Sequence, residues 1–174
     1  MKVVAGFVAG LIAGAALVQI GVAQVGVAPL ADAQSAAREM RPERAVNHIG
    51  IVVDDYAAAY DFYTQTLGFR EAYTVDRNGA PLLTYLQANR ETFVELIPAR
   101  GEGPRGVTHF GLEVADIDSL VAHLRSAGMA VADPGVTPAN ARFVRVRDPD
   151  NVEIEIMEFG PEASQYKAMQ AWRE

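Results

Sequence analysis

Residues 46–55, VNHIGIVVDD, return as residues 107–116, VTHFGLEVAD, with His48 over His109 and Gly50 over Gly111. The likeness resumes downstream, where TLGF (66–69) falls on SAGM (126–129) and FVELI (93–97) matches VEIEI (152–156) by setting Glu95 on Glu155. The offset is 61 at the first block and 60 afterwards, so one deletion between blocks accounts for the change. Self-similarity at a fixed spacing marks two copies of one supersecondary unit, and that repeat organises most of the chain.

Each copy has the same internal order. A short strand (48–53; 109–114) runs into an aspartate-bearing turn, Asp54-Asp55 or Asp116. Apolar residues at helical spacing follow: Tyr56, Ala59, Tyr60, Tyr63 and Leu67 in the first copy, Ile117, Leu120, Val121, Leu124 and Ala127 in the second. Gly68 and Gly128 stand where a glycine closes a helix. Three strand-like runs come next, at 71–75, 82–86 and 92–97 in the first copy, with RNGAP as a hairpin turn. Their counterparts are 130–132, 143–147 and 152–158. The expected order is therefore βαβββ twice: a first module at 46–97, a Pro/Gly linker at 98–106 and a second module at 107–159. In the tail, 160–174, SQYKAMQAW reads as a short helix whose Tyr166, Met169 and Trp172 pack on the modules or on a second subunit of a homodimer.

Half of the 174 residues are hydrophobic, which is enough for a sizeable core. A net charge of −7 argues against a nucleic-acid-binding surface and leaves a small molecule as the expected partner. With no cysteine, disulfides, thiol nucleophiles and thiolate metal sites are excluded. Residues 1–33 carry one lysine, a long Ala/Gly/Val/Leu run and small residues at Ala31 and Ala33, and read as an export signal with a cleavage site. That directs the protein to the periplasm or outside the cell. Because about 20 apolar residues also span a bilayer, an uncleaved membrane anchor is the competing reading. Residues 34–45 form a charged spacer.

Strand alternation assigns faces. Ile49, Ile51 and Val53 make the apolar row that packs under the first helix, which turns His48 and Gly50 the other way. Phe110, Leu112 and Val114 do the same for His109. On the last strands Leu96 and Val152, Ile154 and Ile156 form the apolar row, opposite Glu95 and Glu155. A histidine and a glutamate of each copy thus share the face turned away from the helix. His123, Arg142, Arg147 and Glu158 read as solvated.

NHIGIVV opening one module, THFGLEV opening the other and DPDNVEIEI closing it resemble the vicinal oxygen chelate superfamily, which includes glyoxalase I, methylmalonyl-CoA epimerase, extradiol dioxygenases and the bleomycin and fosfomycin resistance proteins. The resemblance covers residues 46–159. It implies an α+β fold in which two βαβββ modules form an open, partly closed eight-stranded barrel. The family's usual DPDGN turn reads Asp148-Pro149-Asp150-Asn151 here, and asparagine tolerates the left-handed conformation that the glycine would supply.

By position, the resemblance implies one divalent ion held on the inner face by His48, Glu95, His109 and Glu155. Imidazole and carboxylate suit Ni, Co, Mn, Fe or Zn. It further implies Glu155 and Glu95 as catalytic carboxylates, and Arg145, Phe143, Tyr85, Phe93 and Glu153 as substrate-lining positions. Arg145 either holds a substrate anion or pairs with Glu153. The full His/Glu/His/Glu set points to glyoxalase-I-like lyase or isomerase proton transfer on a small oxygenated substrate. An Fe(II)-dependent extradiol-type ring-cleaving dioxygenase and a metal-free small-molecule binding or resistance protein are the alternatives. Where bacterial glyoxalase I carries an arginine and an asparagine that help hold glutathione, this chain has Val52 and Ala99, so the reaction type is implied and a glutathione adduct is not.

Overall fold

Both helices of the repeat start on the expected aspartates. Asp55 Oδ1 accepts from the Ala58 N–H at 2.9 Å, and Asp116 Oδ1 from the Ser119 N–H at 3.0 Å. Each carboxylate satisfies a first-turn donor that has no partner within its helix. The computed structural model describes residues 46–173. The expected export signal or anchor and the spacer lie outside the described residues.

The elements are β1 (Val46–Val53), α1 (Tyr56–Asp61), β2 (Arg70–Arg77), β3 (Ala80–Gln87), β4 (Phe93–Pro98), β5 (Gly106–Glu113), α2 (Ile117–Ser126), β6 (Gly135–Val136), β7 (Arg142–Arg147), β8 (Glu153–Glu158) and α3 (Ser164–Ala171). A wider π-helical turn, Phe62–Thr66, prolongs α1. Gly68 (φ +74°) and Gly128 (φ +87°) then reverse the chain in the left-handed region, where a side chain would be strained.

All eight strands join one curled sheet in the order β2-β3-β4-β1-β5-β8-β7-β6. Within each module the first strand pairs in parallel with the last, β1 with β4 and β5 with β8. The modules meet edge to edge through antiparallel β1 and β5. The two βαβββ units are those the repeat implies, and the half-barrel they form is the one the resemblance implies.

Local hydrogen bonding moves two strands from their expected places. No strand forms at 130–132: Val131 turns into the core, 9% exposed, and its carbonyl accepts two bonds from the Arg125 guanidinium instead of a ladder bond. The short β6 forms later and pairs with β7. The closing strand begins at Glu153 and not at Val152. Val152 is 43% exposed because its N–H donates to Asp148 Oδ1 and its carbonyl accepts from the Asp148 N–H, which closes the turn. Asn151 within that turn adopts φ +68°, as its residue type allows.

The outer core is strongest in the second module, where Ile117 and Val121 of α2 bury against Val144 and Ile156. In the first module α1 lies over β4, and Ile49 stays 38% exposed, so the expected row Ile49, Ile51 and Val53 is only partly covered. A second core lies inside the curl. There Met169 of α3 packs on Tyr85 and Phe93, with Tyr166 at its edge, while Arg70 stacks over the Trp172 ring at 4.4 Å. The tail helix therefore packs on its own barrel.

Candidate metal centre

Register places a glycine between each histidine and the glutamate it faces. Across β4, β1 and β5 the aligned residues are Glu95, Gly50 and His109; across β1, β5 and β8 they are His48, Gly111 and Glu155. The middle strand offers no side chain, so each imidazole occupies the space above it. A Cβ on Gly50 would stand 1.9 Å from His109 Cε1, and one on Gly111 would stand 2.0 Å from His48 Cε1. Each module's glycine is thus the seat of the other module's histidine, which explains the His-x-Gly spacing in both copies.

The four side chains converge. His109 Nε2 lies 2.8 Å from Glu95 Oε2 and 3.9 Å from Glu155 Oε2. His48 Nε2 lies 3.6 Å from Glu155 Oε2 and 3.9 Å from Glu95 Oε2. One potential ligand atom from each of the four sits within 4.8 Å of the others, and all four residues are buried. The set brings together the four positions carried over from the family.

The donors suit a divalent cation. His48 Nε2 is buried with no hydrogen-bond partner, an arrangement that costs stability unless something fills it. Two carboxylates buried side by side need a counter-charge. Arg145 supplies one only at Oε1 of Glu155, leaving the Oε2 atoms turned to the histidines. A borderline ion satisfies imidazole nitrogen and carboxylate oxygen together.

Electrostatics follow from the same contacts. Burial pushes the Glu155 carboxyl up, but the adjacent His48, Arg145 and His109 outweigh it and bring it down to about 2. Burial lowers His109, while its bond to Glu95 and the charges of Glu95, Glu155 and Glu153 leave it raised overall. The Tyr73 and Tyr85 phenols are pushed well above their usual range, first by burial and then by the carboxylates.

A cavity of about 350 Å³ opens over the cluster, with Tyr85, Glu95, His109, Phe143, Arg145 and Glu155 in its lining. Two expected lining residues lie elsewhere. Phe93 is wholly buried, edge-on to Tyr85 at 5.9 Å and packed with Met169. Glu153 is drawn off by Arg147 and lies 3.4 Å from Arg145 Nε. Arg145 therefore pairs with Glu155 as well as with Glu153. Arg142 and Arg147 also have partners: Arg142 bonds Asp118 at 2.7 Å, and Arg147 bonds Glu153 and the Asn151 carbonyl. Glu158 does not simply meet water, since it accepts from the Ile117 N–H at 2.9 Å and caps α2.

Sequence reasoning missed Tyr73 and Gln165, which also line the cavity. Tyr73 stacks on Tyr85 at 4.9 Å. Tyr73 Oη and Gln165 Oε1 are buried without partners. Alternation along β2 could have flagged Tyr73, whereas Gln165 stands outside the repeat and had no such signal.

The family model described as Glyoxalase/Bleomycin resistance protein/Dioxygenase superfamily matches residues 45–156. Uncharacterized protein YaeR of Escherichia coli (strain K12) is 34% identical over 122 residues, covering 65% of this chain and 95% of that protein. Uncharacterized protein YwkD of Bacillus subtilis (strain 168) is 29% identical over 126 residues, 66% of this chain and 97% of that one. Among solved structures, methylmalonyl-CoA epimerase from Mycobacterium tuberculosis superposes with a TM-score of 0.59 at 24% identity, covering 72% of this chain and 97% of the epimerase. At that identity the likeness speaks to the fold.

Proposed function

Because this chain belongs to the Glyoxalase/Bleomycin resistance protein/Dioxygenase superfamily, we propose that it is a divalent-metal-dependent enzyme that moves a proton on a small oxygenated substrate, by lyase or isomerase chemistry. One observation carries the reading: His48, Glu95, His109 and Glu155 come from four strands to one buried cluster at a cavity. The epimerase name of a structural neighbour supports isomerase-type chemistry. Residues 1–33 support a setting outside the cytoplasm.

An ion held by those four residues would supply Lewis acidity, stabilising negative charge that develops on a substrate oxygen. The chain's own groups divide the remaining work. His48 and then Arg145 hold Glu155 ionised, and Arg145 keeps it in place through Oε1. Glu95 has Tyr85 as its cross-strand neighbour where Glu155 has Arg145. Glu95 accepts from His109 at 2.8 Å but has no arginine on it, which makes it the first candidate to take a proton from substrate and Glu155 the second. Leu83, Phe143 and Met157 give the cavity apolar walls that exclude water and strengthen charge interactions within it.

The test is deuterium exchange followed by proton NMR. Metal-loaded protein in D2O is offered methylmalonyl-CoA, the hemithioacetal of methylglyoxal and dihydroxyacetone. Exchange at the C–H beside a carbonyl, lost on chelation and in Glu95→Gln, is the expected result. Absence of exchange on every probe, with oxygen uptake by Fe(II)-loaded protein on catechol, would overturn it in favour of ring cleavage.

A further inference from the structure

Each histidine of the cluster is preceded by a side chain that bonds the ring nitrogen turned away from the ligand atoms. Asn47 Oδ1 lies 3.3 Å from His48 Nδ1, and Thr108 Oγ1 lies 3.1 Å from His109 Nδ1. Neighbouring bonds fix the sense of both contacts. Asn47 Nδ2 donates to the Glu91 carbonyl at 3.3 Å, so the amide oxygen, an acceptor only, faces His48. The single Thr108 hydroxyl proton goes to the Gly50 carbonyl at 3.3 Å, which leaves oxygen lone pairs for His109. Both Nδ1 atoms therefore meet acceptors and carry hydrogen, while the hydrogen that His109 Nε2 gives to Glu95 Oε2 at 2.8 Å in the metal-free chain would be displaced by a bound cation.

We propose that Asn47 and Thr108 are positioning residues that hold His48 and His109 as Nδ1–H tautomers, so that both Nε2 lone pairs point into the Glu95/Glu155 cluster as ligands. A neutral imidazole has one N–H, and whichever nitrogen bonds outward leaves the other for a cation. Asn47 is 2% exposed and His48 fully buried, so no water competes for that contact. The Thr108 arm crosses the module junction: its hydroxyl anchors on the carbonyl of Gly50, whose α-carbon also seats the His109 ring. Tautomer and ring position are thus set by the same residue pair. The arrangement recurs in both modules although the residue types differ, as expected if the requirement is an acceptor and not a particular side chain.

This inference rests on the metal reading, and its test separates the two. Zinc affinity is measured by competition with a chromophoric chelator for wild type, Thr108→Val, Thr108→Ser and Asn47→Leu. Outer hydrogen-bond partners of metal-bound histidines typically contribute about 10–100-fold in affinity. Thr108→Val is expected to weaken zinc by about that factor while Thr108→Ser restores it, with a smaller loss for Asn47→Leu, whose contact lies at the long end of the hydrogen-bond range. Nitrogen-15 NMR of zinc-loaded wild type decides the tautomer even if a variant fails to fold: protonated Nδ1 on both rings is expected, and protonated Nε2 on either overturns the inference. Wild type that binds zinc while Thr108→Val binds equally well overturns the positioning role alone. Wild type that takes no divalent ion overturns the metal reading and this inference with it.

Discussion

The His109 ring fills the space above Gly50, where a Cβ would stand only 1.9 Å from Cε1. His48 and Gly111 repeat the relationship in reverse, at 2.0 Å. The two module edges meet in antiparallel register, so His faces Gly and Gly faces His across the junction. A duplicated His-x-Gly strand needs nothing more to lean both imidazoles over their partner strands towards the glutamates beyond. The cluster is a property of the junction between modules, and neither module holds it alone.

Substituting either seat should dislodge a ligand. Gly50→Ala and Gly111→Ala are expected to weaken divalent-metal binding more than tenfold, since the ring must swing away. Overpacking of this kind costs roughly 1–3 kcal/mol, or several degrees of melting temperature. Metal titration and thermal melting check both. Unchanged affinity in Gly50→Ala would mean that the His109 ring does not sit over Gly50 in solution.

Glu95→Gln and Glu155→Gln should each abolish the proton exchange proposed above and weaken metal binding. Glu153→Gln should retain most of both, because Glu153 is engaged by Arg147 and Arg145 beside the cluster. Turnover of the exchanging probe, compared across the three at saturating metal, is the measurement. Equal losses in all three would remove the distinction between Glu153 and the two ligand glutamates.

The repeat made the two modules and the shared face of the two histidines and two glutamates legible, because residue type and strand order recur at nearly one spacing, and the family resemblance supplied the barrel and the ligand set. What it could not show lies where the two copies differ. Val131 is core because Arg125 takes its carbonyl, a contact 6 residues away on α2 that no strand pattern encodes. Glu158 looks like a solvated strand end until α2 folds back to offer the Ile117 N–H. Arg147 finds Glu153 across the β7–β8 hairpin, and Arg142 finds Asp118 on α2. Gln165 reaches the cavity on a tail helix that has no counterpart in the other copy.

The metal-free protein should have a defined pH window. His109 is raised on folding from 6.5, so its contribution is whole below about pH 6.5 and is lost as pH climbs through the raised value. Glu155 falls from 4.5 to about 2, so its contribution is present above about pH 4.5 and is lost as pH falls towards 2. Stability from this pair is therefore greatest between about pH 4.5 and 6.5. Melting temperature across pH 3–9 in chelator reports it, and His109→Gln should remove the alkaline loss. A flat profile above pH 6.5 in the wild type would contradict the assignment. Added metal should move the optimum upwards, because ligand nitrogens bind ions only when deprotonated.

Tyr73→Phe removes a buried hydroxyl that bonds nothing in the protein while keeping the ring stacked on Tyr85. Leaving such a group unpaired costs about 1–3 kcal/mol, so the variant should melt no lower than wild type. Differential scanning calorimetry settles it, and a clear loss of stability would show that the hydroxyl has a partner.

In the function proposed above, four residues from two modules hold one divalent ion. Metal content by plasma mass spectrometry, on protein purified without added metal and then offered Ni, Co, Mn, Fe and Zn in turn, tests it most directly. One ion per chain in wild type, absent from His109→Ala of unchanged fold, is the predicted result. A wild type that stays empty with every ion, or a His109→Ala that binds as well, would contradict it.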